Sequence, residues 1–124
     1  MDKMRRTQRK ARKFLLDEGF DFVHIIHHTR WSKDIVIDGA AFDGFAIGKA
    51  FNKSVRFISP MTKIVVKNAP RIVFFQVKTN NKPSKEEIKV YEKFAKKFGV
   101  MVYIMIWYDR RGWEILRIGE PQTK

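Results

Sequence analysis

The sequence predicts an α/β fold, a central mixed β-sheet with helices packed against it. Three observations predict it. Apolar residues recur at helical spacing near the N-terminus and again after residue 84. Between and beyond these segments lie short runs rich in β-branched and aromatic residues, as strands require. The unit RIVFFQVK–helix–VMVYIMIWY reads as a β-α-β crossover, which implies two parallel strands with a right-handed connection. A length of 124 residues favours one domain, and 44% hydrophobic residues with 11 Phe suffice for a real core.

Residues 4–18, MRRTQRKARKFLLDE, form the first predicted helix. Met4, Ala11, Phe14, Leu15 and Glu18 lie near one stripe with Gln8 between them, and basic residues fill the opposite face. Gly19 is a good stop. FDFVHIIHH (20–28) reads as a strand, and 29–34 as a loop. DIVI (34–37) and AAFDGFAI (40–47) read as two strands joined through Asp38-Gly39, a favoured hairpin turn. Residues 48–70 look like an insertion, with VRFIS (55–59) and KIVVK (63–67) forming a hairpin around Ser59-Pro60-Met61. RIVFFQVK (71–78) is apolar on both faces and so central. Ser84 and Glu87 make a capping box for a helix running to Phe98, with Ile88, Tyr91, Phe94, Ala95 and Phe98 as its buried stripe and Gly99 as its end. VMVYIMIWY (100–108) is a second buried strand, DRRG (109–112) a turn, WEILRI (113–118) the last strand and 119–124 a tail.

The charge is strongly one-sided. There are 26 Lys and Arg against 13 Asp and Glu, a net +13, so at least one face should carry positive potential. Polyanions are the natural partners, nucleic acid first. No basic helix has a broad aromatic face for lying on a membrane. The absence of Cys excludes disulfides and thiolate metal sites. The N-terminal MDKMRRTQRKARK lacks the apolar core of a secretory signal, and the longest apolar run is too short to span a bilayer as a helix. A soluble, cytoplasmic protein is therefore expected, with no membrane partner.

One constellation carries chemistry. Gln76 and Lys78 are two apart in a strand and so project to one face. Asp43 sits among Phe42, Gly44, Phe45 and Ala46, where an unpaired buried carboxylate would be expensive. A divalent ion would explain it. Mg²⁺ prefers hard oxygen ligands, which the Asp43 carboxylate, the Gln76 amide oxygen and the Val77 backbone carbonyl supply. Lys78 would then orient or activate water and neutralise a scissile phosphate. That is the chemistry of phosphodiester hydrolysis.

The arrangement Asp43…Gln76-Val77-Lys78 resembles the PD-(D/E)xK nuclease superfamily, whose restriction-endonuclease-like three-layer core has the order α-β-β-β-α-β. Within it the chain is similar to archaeal Holliday-junction resolvases. Gln8-Arg9 upstream of Gly19-Phe20 resembles their Glu-Arg helix and its Gly-Phe ending. Phe42-Asp43-Gly44-Phe45-Ala46 resembles their Pro-Asp strand, and Phe94-Ala95-Lys96-Lys97-Phe98-Gly99 the end of their second helix. The likeness spans roughly residues 4–118. Both family glutamates are glutamine here, Gln8 and Gln76, and Phe42 replaces the proline. Mrr-like restriction nucleases share a Gln-x-Lys motif. The resemblance implies a Mg²⁺- or Mn²⁺-dependent DNA endonuclease and a homodimer, with Asp43, Gln76, Lys78 and Gln8 at the catalytic site and Asp43, Gln76 and Val77 on the metal. Arg5, Arg6, Arg9, Lys10, Lys13, Arg30, Lys82 and Lys85 would bind DNA.

Other readings stay open. The neutral glutamines favour a catalytically inactive nucleic-acid-binding protein that keeps the nuclease fold. A basic protein that docks an acidic partner protein is a third class. Asp34, Asp38 and Glu18 compete with Asp43 as carboxylates, although Asp38 suits a turn and Glu18 a helix end. His24 and His28 share a strand face that His27 opposes, which is a poor metal trio. Trp31 and Trp107 suit packing better than base stacking, and the basic face of the first helix and the run Lys82, Lys85, Lys89, Lys93, Lys96 and Lys97 also suit simple solvated faces, although the net charge favours phosphate contacts for some of them.

Overall fold

The computed structural model describes residues 3–26, 35–48, 56–58, 65–67 and 71–119. Its elements are α1 (Lys3–Asp17), β1 (Phe20–Ile25), β2 (Ile35–Ile37), β3 (Ala40–Phe42), β4 (Gly44–Gly48), β5 (Arg56–Ile58), β6 (Val65–Lys67), β7 (Arg71–Thr79), α2 (Lys85–Phe98), β8 (Met101–Tyr108) and β9 (Gly112–Ile118). Five strands form one sheet in the order β1-β4-β7-β8-β9. Only β7 and β8 are parallel neighbours, and α2 connects them as the crossover demands. Two small hairpins, β2–β3 and β5–β6, stand outside that sheet. The expected hairpin inside 48–70 is present as β5 paired with β6, while its turn at 59–61 lies outside the described residues.

The sheet is the middle of three layers. On one side, Ala11 and Leu15 of α1 bury fully against Phe20, Val23, Ala46, Val73, Phe75 and Val77. On the other, Tyr91, Phe94 and Ala95 of α2 pack against Phe42, Phe74, Val102, Ile104 and Ile106. Phe42 is wholly buried, with its ring centroid 4.7 Å from that of Phe94. The alternation of β7 and β8 assigns every side chain to one layer, because residues two apart share a face. Phe75 and Val77 face α1, and Phe74 faces α2.

The helix ends follow the sequence signals. Ser84 accepts the Glu87 N–H, the Glu87 side chain accepts the Ser84 N–H, and Gly99 closes α2 in the left-handed conformation with φ 67°. Asp38 and Gly39 have φ 50° and 83°, the paired positive values of a tight hairpin turn.

One element departs from expectation. The strand expected over 40–47 is broken at Asp43, with Phe42 ending β3 and Gly44 opening β4. The ladder pairs Gly44 with Phe75, yet the Asp43 N–H also donates to the Phe75 carbonyl at 2.8 Å. Two residues thus oppose one, the signature of a β-bulge. Gly44 permits it, since a Cβ there would lie 2.0 Å from the His24 carbonyl oxygen.

Candidate functional site

The bulge determines what Asp43 can do. Its backbone stays in the sheet, donating to Phe75 and accepting from the Ile26 N–H at 2.8 Å. Its carboxylate, 1% exposed, turns into the seam between the bulge and β7. There Oδ2 accepts the Val77 N–H at 2.6 Å, taking the place of a backbone carbonyl in the ladder. From α1, Gln8 donates its Nε2 to Oδ1 at 3.4 Å and is also 3.4 Å from the Ile26 carbonyl. Gln8 is itself 2% exposed. A buried carboxylate is tolerable when N–H groups solvate it, and two do so here. The structure therefore brings Asp43, Gln8 and the Val77 backbone together beneath α1.

It places Gln76 and Lys78 elsewhere. These two do project together, as their spacing requires. In the β7–β8 register they stand beside Ile104 and Ile106, which belong to the α2 layer, whereas Val77 stands beside Met105 in the α1 layer. Lys78 reaches over to α2 and pairs with Glu87 at 2.9 Å. That hydrogen bond, with further bonds from Ser84, holds the Glu87 carboxyl below its ordinary pKa, opposed by partial burial. Gln76 Oε1 is buried and has no hydrogen-bond partner among the described residues. Had 40–47 been one regular strand, Asp43 would have stood across from Gln76 on the α2 face. The bulge turns it over, because a one-residue shift in a strand exchanges faces.

The expected metal set can be tested against this arrangement. Only one of its three oxygens is anionic, and that carboxylate already accepts two N–H bonds. Gln76 approaches from the opposite face of the sheet, and Lys78 is occupied by Glu87. No group of three or more His, Asp or Glu gathers among the described residues. As arranged, these residues do not fit a dication shell.

The rival carboxylates have structural partners: Asp38 bonds Lys97 at 2.7 Å and Glu18 bonds Arg117 at 2.5 Å. His24 is exposed on β1 with its ring 5.4 Å from Phe45. His27, His28, Arg30, Trp31 and Asp34 lie outside the described residues, as does the tail beyond 119. Of the expected DNA-binding residues, Arg6, Arg9, Lys10 and Lys13 are exposed on α1, with Arg12 beside them, while Lys82 is exposed in the loop before α2 and Lys85 at the helix start. Arg5 lies in α1, although its side chain is not described. Lys10 also sits 4.0 Å from the centre of the Trp107 ring.

Several neighbours of the site were not evident from sequence. Thr7, 2% exposed, accepts a hydrogen bond from the Thr79 hydroxyl at 3.2 Å, tying α1 to the end of β7. Beyond it, Asn80 and Asp109 bond reciprocally at 2.9 and 3.0 Å. Isolated threonines and an Asn-Asp pair 29 residues apart carry no local pattern that would announce such contacts. No family model, curated protein or solved structure matches the chain.

Proposed function

We propose that this chain is a nucleic-acid-binding protein on a PD-(D/E)xK-like core, whose Asp43–Gln8 cluster serves as structure. The observation that carries this reading is the outer face of α1. Arg6, Arg9, Lys10, Arg12 and Lys13 are exposed together on a helix with no acidic residue in its first turn. None of the five forms an ion pair among the described residues, so their charge is available to a polyanion. Phosphate contacts of this kind depend on charge and not on base sequence. Support for a structural role at Asp43 comes from its two N–H donors and from its separation from Gln76 and Lys78.

A second reading, metal-dependent DNA cleavage, is favoured by one observation. An amide oxygen buried without a partner is costly, and Gln76 Oε1 is in that state. A cation would supply the partner. Labelled duplex, single-stranded and four-way-junction DNA, incubated with Mg²⁺, Mn²⁺ or EDTA, decide between the two. The first reading expects binding that EDTA leaves unchanged and no cutting by wild type. Cutting that needs metal and is lost in both Asp43→Asn and Lys78→Ala would establish the second.

A further inference from the structure

The turn between β8 and β9, closed by the Arg111 N–H donating to the Tyr108 carbonyl at 3.1 Å, takes a positive φ at its third residue and puts an arginine there. Arg110 has φ 74°, in the left-handed region where Gly, Asn or Asp would be cheaper. Asn80, facing it across the reciprocal bonds to Asp109, has φ 53°. Asn80 also donates its N–H to the Trp107 carbonyl at 2.7 Å. Two hydrogen bonds thus clamp the turn to Asn80, just past β7, and a third ties Asn80 to β8. Strain that is held in place by its surroundings points to a use for the side chain involved.

The side chain is an exposed guanidinium with no ion pair among the described residues. Asp109 precedes it in the turn with its carboxylate bonded to Asn80, and several cations lie around the pair. Arg111 follows it, exposed, with its guanidinium 5.9 Å from the Tyr108 ring centre. Lys82 lies just beyond Asn80 and is 69% exposed, with only a distant 4.0 Å approach to Glu114. Lys10 of α1 covers Trp107, the residue whose carbonyl the clamp uses. The cationic face of α1 therefore continues past Trp107 onto the turn, at the end of the parallel pair β7–β8. Open α/β sheets bind ligands outside the carboxyl ends of such strands.

We infer that the clamped Asp109–Arg111 turn is a phosphate-gripping element, with Arg110 its main contact to a nucleic-acid backbone lying along α1. This rests on the nucleic-acid-binding reading above. Arg110→Gly is the informative variant, because glycine adopts φ 74° freely and the turn keeps its shape. Fluorescence anisotropy with labelled single-stranded and duplex DNA, over a salt series, reads the effect. Arg110→Gly is expected to weaken binding three- to tenfold, to reduce the slope of log affinity against log salt by about one, and to melt no lower than wild type. Arg110→Lys should recover part of the affinity. Lys96→Ala, the same charge change at the far end of α2, should leave binding within twofold. Wild-type binding with an unchanged Arg110→Gly affinity and slope would overturn this inference alone. Wild type that binds neither probe at low salt would overturn it together with the reading beneath it.

Discussion

Asp43 and Lys78, expected in one site, take unrelated roles on opposite faces of the sheet. Asp43 accepts the N–H of Val77 where a regular strand would offer a carbonyl. Asp43→Ala leaves that buried donor without an acceptor, and an unsatisfied buried group costs about 1–3 kcal/mol. Asp43→Asn keeps an acceptor and should cost less, with both read from urea denaturation midpoints. An equal loss in the two variants would mean that charge, and not the hydrogen bond to Val77, holds the seam. Lys78 acts on the other side through Glu87, whose carboxyl it holds below its ordinary value. A carboxyl depressed in the folded state stabilises fully above its ordinary pKa, and that contribution fades as pH falls through the lowered value. The affected window is therefore the acid range below about pH 4.5. Lys78→Met should move the Glu87 titration up toward its ordinary value in an NMR pH series and flatten that acid-limb dependence. A Glu87 titration that does not move would show that the capping box alone sets it.

Secondary structure was largely legible because each element announces itself locally. The expected helix over 4–18 is observed as Lys3–Asp17, and the crossover strands 71–78 and 100–108 as Arg71–Thr79 and Met101–Tyr108. Capping residues and periodicity act within a few positions, so sequence reveals them. The bulge does not work that way. Phe42-Asp43-Gly44 reads as a continuing strand, and what the sequence does not reveal is that the His24 carbonyl of β1 lies so close to Gly44 that only glycine fits there. That contact depends on how β1 registers against β4, with Ile25 opposite Gly44. Sequence spacing put Gln76 and Lys78 on one face, as the structure has them, but it could not tell which face Asp43 takes. Gly44→Ala tests the element directly. With an added carbon required 2.0 Å from a backbone oxygen, the strand must shift. The loss should reach or exceed the upper part of the about 1–3 kcal/mol that overpacking costs. A thermal melt within a degree or two of wild type would show that the bulge is not held by this close approach.

On the scale of the molecule, the distribution of charge matters more than its sum. A net +13 attracts any polyanion, including an acidic protein, so the total does not choose a partner. The arrangement does choose. Lysines on α2 alternate with Glu86, Glu87 and Glu92, whereas Arg6, Arg9, Lys10, Arg12 and Lys13 on α1 have no acidic residue among them. If duplex DNA lies along α1 and these five cations each meet a phosphate, counterion release sets a log–log salt slope of roughly −4 to −5. Arg9→Glu with Lys13→Glu removes two contacts and adds repulsion, so the slope should fall by about two. Both substitutions are exposed, and the fold should melt within a few degrees of wild type. The same pair of changes on α2, Lys89→Glu with Lys93→Glu, alters net charge equally. Equal losses from the two pairs would mean the protein acts as a diffuse cationic sphere. A loss confined to α1 would mean that the helix delivering Gln8 to the seam is also the surface along which nucleic acid lies.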